Sequence, residues 1–367
     1  MPWLDHRESE RVLQALAGRL AGDGPFCRRV EERLTRELGC GRALLTTSCT
    51  HALELALLAL GVGAGQEVIV PSFTFVSTAN AVLRVGATPV FADIEETTLA
   101  LDPEEVEQRI TPRTAAIIPV HYAGLPASME KLLLIASRRN LRVVEDAAQG
   151  FGATLSGKAL GTLGDAGCLS FHETKNVTCG EGGAALFRDE DTAQRAEIIR
   201  EKGTNRRAFL RGQVDKYTWV AEGSSYVLSD VLAAILDAQL DKAQEIADRR
   251  QAIASRYREE LSLWASARGV RLPPPSKDRS GNNHVFYLLF PAAGERTRAL
   301  LFLRERGVLA SFHYVPLHSS PFGRRFAAGS FPVTERVAST LLRLPIHPLM
   351  GEGDVERVVR AVRGSLE

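Results

Sequence analysis

The sequence predicts an α/β protein: a large domain with a mostly parallel sheet covered by helices, followed by a smaller C-terminal α+β domain. Short apolar runs alternate with amphipathic stretches between about residues 43 and 187. The runs are continuously apolar, as expected of strands buried on both faces, and the connections are long enough for parallel crossovers. Beyond about residue 262 the pattern changes to shorter strands and helices. A chain of 367 residues with 45% hydrophobic side chains suits two cores. The expected division falls near residue 245, giving domains 1–245 and 246–367.

Strands are read at 43–47, 67–72, 88–94, 115–122, 141–147, 167–171 and 183–188. The stretch 50–61 is apolar nearly all round, which predicts a buried helix ended by Gly61. A helix over 101–110 has Asp102 as its cap and Pro103 in its first turn. Two more helices are expected at 127–139 and at 190–202, the latter stopped by Gly203. Residues 203–222 have no useful periodicity, but Phe209, Tyr217, Trp219 and several arginines favour an ordered binding loop. Residues 229–261 read as one long or kinked helix capped by Ser229 or Asp230. In the smaller domain, strands are expected at 284–290 and 308–314 and helices at 295–306 and 353–366. The prolines at 273–275 mark a linker.

Composition narrows the function. Lys plus Arg number 45 against 44 Asp plus Glu, which argues against nucleic acid or an anionic membrane as the main partner. No apolar run reaches the ~18 residues of a bilayer span, and the N-terminus has no signal-peptide core, so a cytoplasmic location is expected. Five cysteines, Cys27, Cys40, Cys49, Cys168 and Cys179, form no C-x-x-C pair; neither a disulfide scaffold nor a metal site is expected.

Three segments carry candidate chemistry. Lys175 follows an apolar strand among polar and glycine residues, in a chain with only seven lysines against 38 arginines. A lysine amine forms a Schiff base where arginine cannot; a solvated loop lysine is the competing reading. Asp146 falls at the C-terminal end of a predicted parallel strand, where α/β sheets place ligands. A carboxylate there can hold a pyridine nitrogen protonated, although capping the next helix explains it too, and Glu145 could fill that structural role. Ser48, Cys49 and Thr50 open the buried helix directly after a strand, an arrangement suited to an anion and equally to helix capping. Cys49 reads as a small buried residue rather than a nucleophile. In order, a phosphate site, an aspartate and then a lysine on the next strand's exit are what a fold-type I pyridoxal phosphate (PLP) enzyme requires.

The chain resembles the DegT/DnrJ/EryC1/StrS sugar aminotransferases over nearly its whole length. The residues that carry the resemblance include SCTHALELAL (48–57), EVIVPSFTFVSTANAV (67–82), VVEDAAQGFGA (143–153), SFHETKNVTCGEGGA (170–184), GSSYVLSD (223–230), FHYVPLHSSP (312–321) and LRLPIHPLM (342–350). Within the family it is most similar to the subgroup that makes dTDP-4-amino-4,6-dideoxy-D-galactose from dTDP-4-keto-6-deoxy-D-glucose and L-glutamate, releasing 2-oxoglutarate. The resemblance implies that Lys175 carries PLP and then moves protons, that Asp146 pairs with the ring nitrogen and that Gln149 lies near the ring oxygen. It implies that Phe75 stacks on the ring, a core phenylalanine being the competing reading, and that Cys49, Thr50 and Ser170 hold the phosphate. Ser225 stands where many relatives carry an asparagine that reaches the neighbouring subunit's cofactor, so a homodimer with shared sites is implied. His172, three residues before Lys175 on the same strand exit, is expected near the substrate, in a role that could be steric, and His313 near the sugar nucleotide; Arg206, Arg207 and Arg211 suit a diphosphate or stand as solvated loop residues. One of His313 and His318 is expected to be a satisfied core histidine. The rival expectations are an aminotransferase acting on another keto-sugar nucleotide, at C3 or C4 and with UDP, GDP or dTDP, and a sugar-sensing regulator that keeps the fold without the chemistry.

Overall fold

The structure of the protein, a computed structural model, describes all residues except 19 and 275–278. Two amphipathic helices come first, α1 (His6–Leu16) and α2 (Pro25–Leu38). Neither belongs to the apolar-run pattern from which the fold is read. A capping box starts α1: Asp5 accepts from the Arg7 N–H, and Glu8 accepts from the Asp5 N–H.

All seven strands expected between residues 43 and 188 form, and they share one sheet. They begin with β1 (Arg42–Thr46), β2 (Glu67–Pro71), β3 (Thr88–Ala92), β4 (Thr114–Ile117) and β5 (Arg142–Asp146). A small hairpin, β6 (Thr154–Leu155) and β7 (Lys158–Ala159), leads to β8 (Ala166–Ser170) and β9 (Gly183–Phe187). The order is β1-β9-β8-β5-β4-β2-β3. From β8 through β3 the pairs are parallel, whereas β9 runs antiparallel to β8 and to β1. The reason is the connection: 171–182 returns from β8 without a crossover helix, so the chain can only double back.

Helices cover the sheet. Buried α3 (Cys49–Ala59) is capped by Ser48, whose Oγ accepts from the His51 N–H, and Gly61 at φ +77° turns the chain away after it. Next come α4 (Val76–Arg84), unanticipated, α5 (Pro103–Arg109), capped by Asp102, α6 (Met129–Arg139) and α7 (Glu190–Arg200). The irregular stretch 203–222 holds only the short α8 (Arg206–Leu210) and keeps Trp219 76% exposed. The expected helix over 229–261 is two: α9 (Asp230–Asp241), capped by Ser229, and α10 (Ala243–Ala267), broken at Lys242. The buried Lys242 ammonium pairs there with Asp5 and Glu8, so the break serves a contact with α1.

The C-terminal part holds β10 (Arg279–Ser280), β11 (Phe286–Leu289), α11 (Ala293–Glu305), α12 (Pro332–Thr340), β12 (Leu341–Leu344) and α13 (Glu352–Gly364). The expected strand at 308–314 is not regular; β12 takes the place beside β11, and only Ser311 bridges to Arg343. Pro273 and Pro274 lie in an irregular segment, and Pro275 lies outside the described residues. One apolar cluster, including Tyr257, Phe286, Leu303 and Val359, packs α10 against this part. A second, with Phe73, Tyr122, Tyr287 and Leu341, joins the sheet to β11 and β12. Among the described residues no helix is long and apolar enough to cross a membrane.

Candidate active site

Strands β2, β4, β5 and β8 end side by side, and a cleft of about 540 Å³ opens where they stop. The N-terminus of α3 forms its floor, and residues 312–315 with Arg343 on β12 close it from the C-terminal part. Parallel sheets leave their ligand crevices at this end of the strands.

Asp146, the last residue of β5, is buried, and it accepts from Thr78 Oγ1 at 2.8 Å and from the Ala148 N–H at 3.1 Å. Burial raises its pKa against the pull of those two donors and of the Lys175 charge. No arginine, lysine or histidine among the described residues lies within ion-pairing distance of it. Lys175, five residues past the end of β8, lines the same cleft. Burial is the main reason its amine is less basic than usual, and the Arg343 guanidinium adds to the effect. Glu145 is elsewhere engaged: it accepts from the Gly161, Leu163 and Gly164 N–H groups and pairs with His121.

At the floor, Cys49, Thr50 and Ser170 all reach the cleft. Thr50 donates to Ser77 Oγ at 2.8 Å. Burial pushes the Cys49 thiol well up, so no thiolate nucleophile forms there. Strand β9 approaches closely: a Cβ on Gly183 would meet the Ser48 carbonyl carbon at 2.4 Å. Phe75 is 59% exposed at the mouth rather than in a core, 6.5 Å from the Tyr314 ring. Gln149 also lines the cleft, its Oε1 accepting from the Ala123 N–H and its Nε2 donating to Tyr314 Oη at 3.0 Å.

His172 faces the cleft with Nδ1 on Thr174 Oγ1 at 2.9 Å. His313 stacks on Tyr314 with ring centroids 4.1 Å apart, and burial takes its pKa down to about 3. His318 is the core histidine, bonded to Ser72 Oγ at 2.7 Å and stacked on Phe331.

Four expected residues lie outside this cleft. Ser225 is exposed beside Glu201. Arg206 lies near Glu201, Arg211 is held by Glu197, and Arg207 is ringed by Asp23, Glu31, Glu197 and Glu201. Carboxylates already occupy these guanidinium groups, so they are not presented to a diphosphate in the chain's own cleft. Arg343, His284 and Tyr314 line the cleft although sequence reasoning singled out none of them; the visible signal for Arg343 was a charged residue inside the apolar LLRL.

The donor set fits PLP. A primary amine of lowered basicity meets a buried carboxylate that lacks a cation, and a helix N-terminus with hydroxyls stands where a phosphate could be bound. Comparisons with known proteins agree. The profile of the DegT/DnrJ/EryC1/StrS aminotransferase family matches residues 2–363. The spore coat polysaccharide biosynthesis protein SpsC of Bacillus subtilis is 33% identical, covering 99% of this chain and 95% of its own. The aminotransferase TlmJ of Streptoalloteichus hindustanus superposes with a TM-score of 0.92 at 34% identity, over 100% of this chain and 97% of its own. The PLP form of the putative sugar aminotransferase Spr1654 of Streptococcus pneumoniae gives 0.92 at 25% identity, over 100% and 97%.

Proposed function

The chain belongs to the DegT/DnrJ/EryC1/StrS aminotransferase family, whose members are PLP-dependent sugar transaminases, and on that premise we propose its substrates. The acceptor is the 4-keto group of dTDP-4-keto-6-deoxy-D-glucose and the donor is L-glutamate. The products are dTDP-4-amino-4,6-dideoxy-D-galactose and 2-oxoglutarate. The observation that carries the assignment of the chemistry is the placing of Lys175 and the buried Asp146 in one cleft.

PLP, when bound, supplies an electron sink that stabilises negative charge at the carbon losing its proton. Asp146, oriented by Thr78 and Ala148, holds the ring nitrogen protonated. Lys175 removes the α-proton of glutamate and later delivers a proton to C4 of the sugar. A general base works best when its pKa lies near the working pH, and burial moves the Lys175 amine in that direction. The first-turn N–H groups of α3, with Thr50 and Ser170, hold the phosphate beside Cys49. Phe75 covers one face of the ring, Gln149 borders its oxygen, and His172 and His313 face the sugar. We also propose a homodimer in which Ser225 and the 203–222 loop stand near the partner's cleft. The exposed Tyr217 and Trp219 support that arrangement.

Incubation with L-glutamate and a panel of keto-sugar nucleotides, followed by mass spectrometry and NMR of the products, tests the assignment. A 4-amino-4,6-dideoxygalactose product is expected. Amination of another keto sugar, at C3 or on UDP or GDP, would replace the substrate named here. Retained PLP with no transamination of any panel member would support the sugar-sensing reading.

A further inference from the structure

Two guanidinium groups packed inside this protein are met by carboxylates. Arg200 meets Asp23 and Glu31, and Arg207 meets four acids. Arg250, without one, donates instead to the carbonyls of Asn283 and His284, away from the cleft. Arg343 follows neither pattern. It lines the cleft from β12, and no Asp or Glu among the described residues lies within ion-pairing distance of it. Its Nε is buried without a partner. One terminal nitrogen donates to His313 Nε2, and His313 Nδ1 meets Tyr122 Oη at 3.2 Å. This chain of contacts orients the guanidinium without neutralising it, because His313 stays uncharged in its buried position. The wall of the cleft therefore carries a planar cation whose charge reaches Lys175, His284 and His313 and which lacks a counter-ion.

We infer that Arg343 binds the α-carboxylate of the amino donor. The inference rests on the transaminase activity of the family and not on the sugar assigned above. Any amino-acid donor must bring its α-carbon to Lys175, and its carboxylate is one bond from that carbon. The diphosphate of a sugar nucleotide sits at C1, across the pyranose ring from C4, so it lies far from the atom that reacts. A planar guanidinium beside the reacting amine matches the first anion and not the second. Binding of the carboxylate would also supply the missing counter-ion and hold the α-carbon against Lys175.

The donor half-reaction can be followed without any sugar, through the absorbance change as the PLP enzyme is converted to its pyridoxamine form. In Arg343→Gln the concentration of L-glutamate needed for half-maximal conversion should rise roughly 10- to 100-fold, the scale of one charge-assisted pair. L-aspartate and L-glutamine, run in parallel, share the α-carboxylate and should shift alike where they react. Arg343→Lys keeps the charge but not the two-pronged geometry and should fall between wild type and the Gln variant. It also serves for the comparison if the Gln variant folds poorly. The concentration dependence for the sugar nucleotide should change less than about threefold in the same variants. An unchanged glutamate dependence in PLP-loaded Arg343→Gln would overturn the inference. So would a weakened sugar-nucleotide dependence with the donor half-reaction intact.

Discussion

Replacing Lys175 by alanine removes the amine and leaves the rest of the cleft in place. Among the described residues, the histidines that also line the cleft are engaged elsewhere, His284 Nδ1 meeting Asn176 Oδ1 at 3.0 Å. His313 is held neutral with both ring nitrogens engaged, by Arg343 and Tyr122. His172 is tied to Thr174, and Asp146 accepts from Thr78 and Ala148. A positioned general base contributes roughly 10²–10⁴-fold per step, and this lysine is assigned two proton transfers. Turnover should therefore fall by at least about 10⁴-fold. Stability should hardly change, because no side-chain hydrogen bond or ion pair of Lys175 occurs among the described residues. Losing its stem costs about 1 kcal/mol or less, and removing a poorly solvated charge near Arg343 offsets part of that. A melting temperature within about 3 °C of wild type is expected. Borohydride reduction followed by peptide mass spectrometry should place a pyridoxyl group on Lys175 in the wild type, within the 159–188 peptide, and none there in the variant. Activity above one per cent of wild type in Lys175→Ala, or a pyridoxyl group on another lysine, would refute the assignment.

Asp146→Asn keeps the volume but sets an amide N–H₂ against either Thr78 Oγ1 or the Ala148 N–H and removes the charge. Turnover should drop roughly 10- to 100-fold or more, read by steady-state kinetics, with Thr78→Val losing less. Gly183→Ala forces β9 away from the start of α3, so it should destabilise by about 1–3 kcal/mol and release PLP faster on dialysis, followed by absorbance. Glu201 gives a pH test. Burial and neighbouring Asp23 raise its pKa to about 7 from an ordinary 4.5, so the folded chain keeps a proton there that the unfolded chain has already released. Stability is thus lost as pH rises from about 4.5 to 7, by up to about 3 kcal/mol. Denaturant melts at pH 5 and pH 8 should show Glu201→Gln gaining on wild type at the higher pH; a difference independent of pH would contradict the raised pKa.

How far the structure could be read from residues depends on the range of the forces involved. The seven strands of the main sheet and helices α3, α5, α6 and α7 rest on the periodicity of neighbouring residues and on caps such as Asp102 and Ser48, which are properties of short segments. Lys175 and Asp146 could be singled out for a related reason, since strand ends are visible as the point where an apolar run stops. The reversal of β9 was less visible, because it turns on the absence of a helix in 171–182 rather than on the strand's own residues. The break at Lys242 and the missing strand at 308–314 depend on contacts with Asp5, Glu8 and β12 made far along the chain.

Alone, the sequence determined the strands of the main sheet and the family resemblance, and it singled out the amine and carboxylate proposed to carry the chemistry. Only the tertiary structure decided which arginines are free. Arg207 and Arg343 are the same side chain in a sequence. One is neutralised by Asp23 and Glu31, some 180 residues away, while the other faces the cleft with only a neutral imidazole beside it. Charge compensation acts through space, so it is settled by which distant residues the fold brings within a few ångströms.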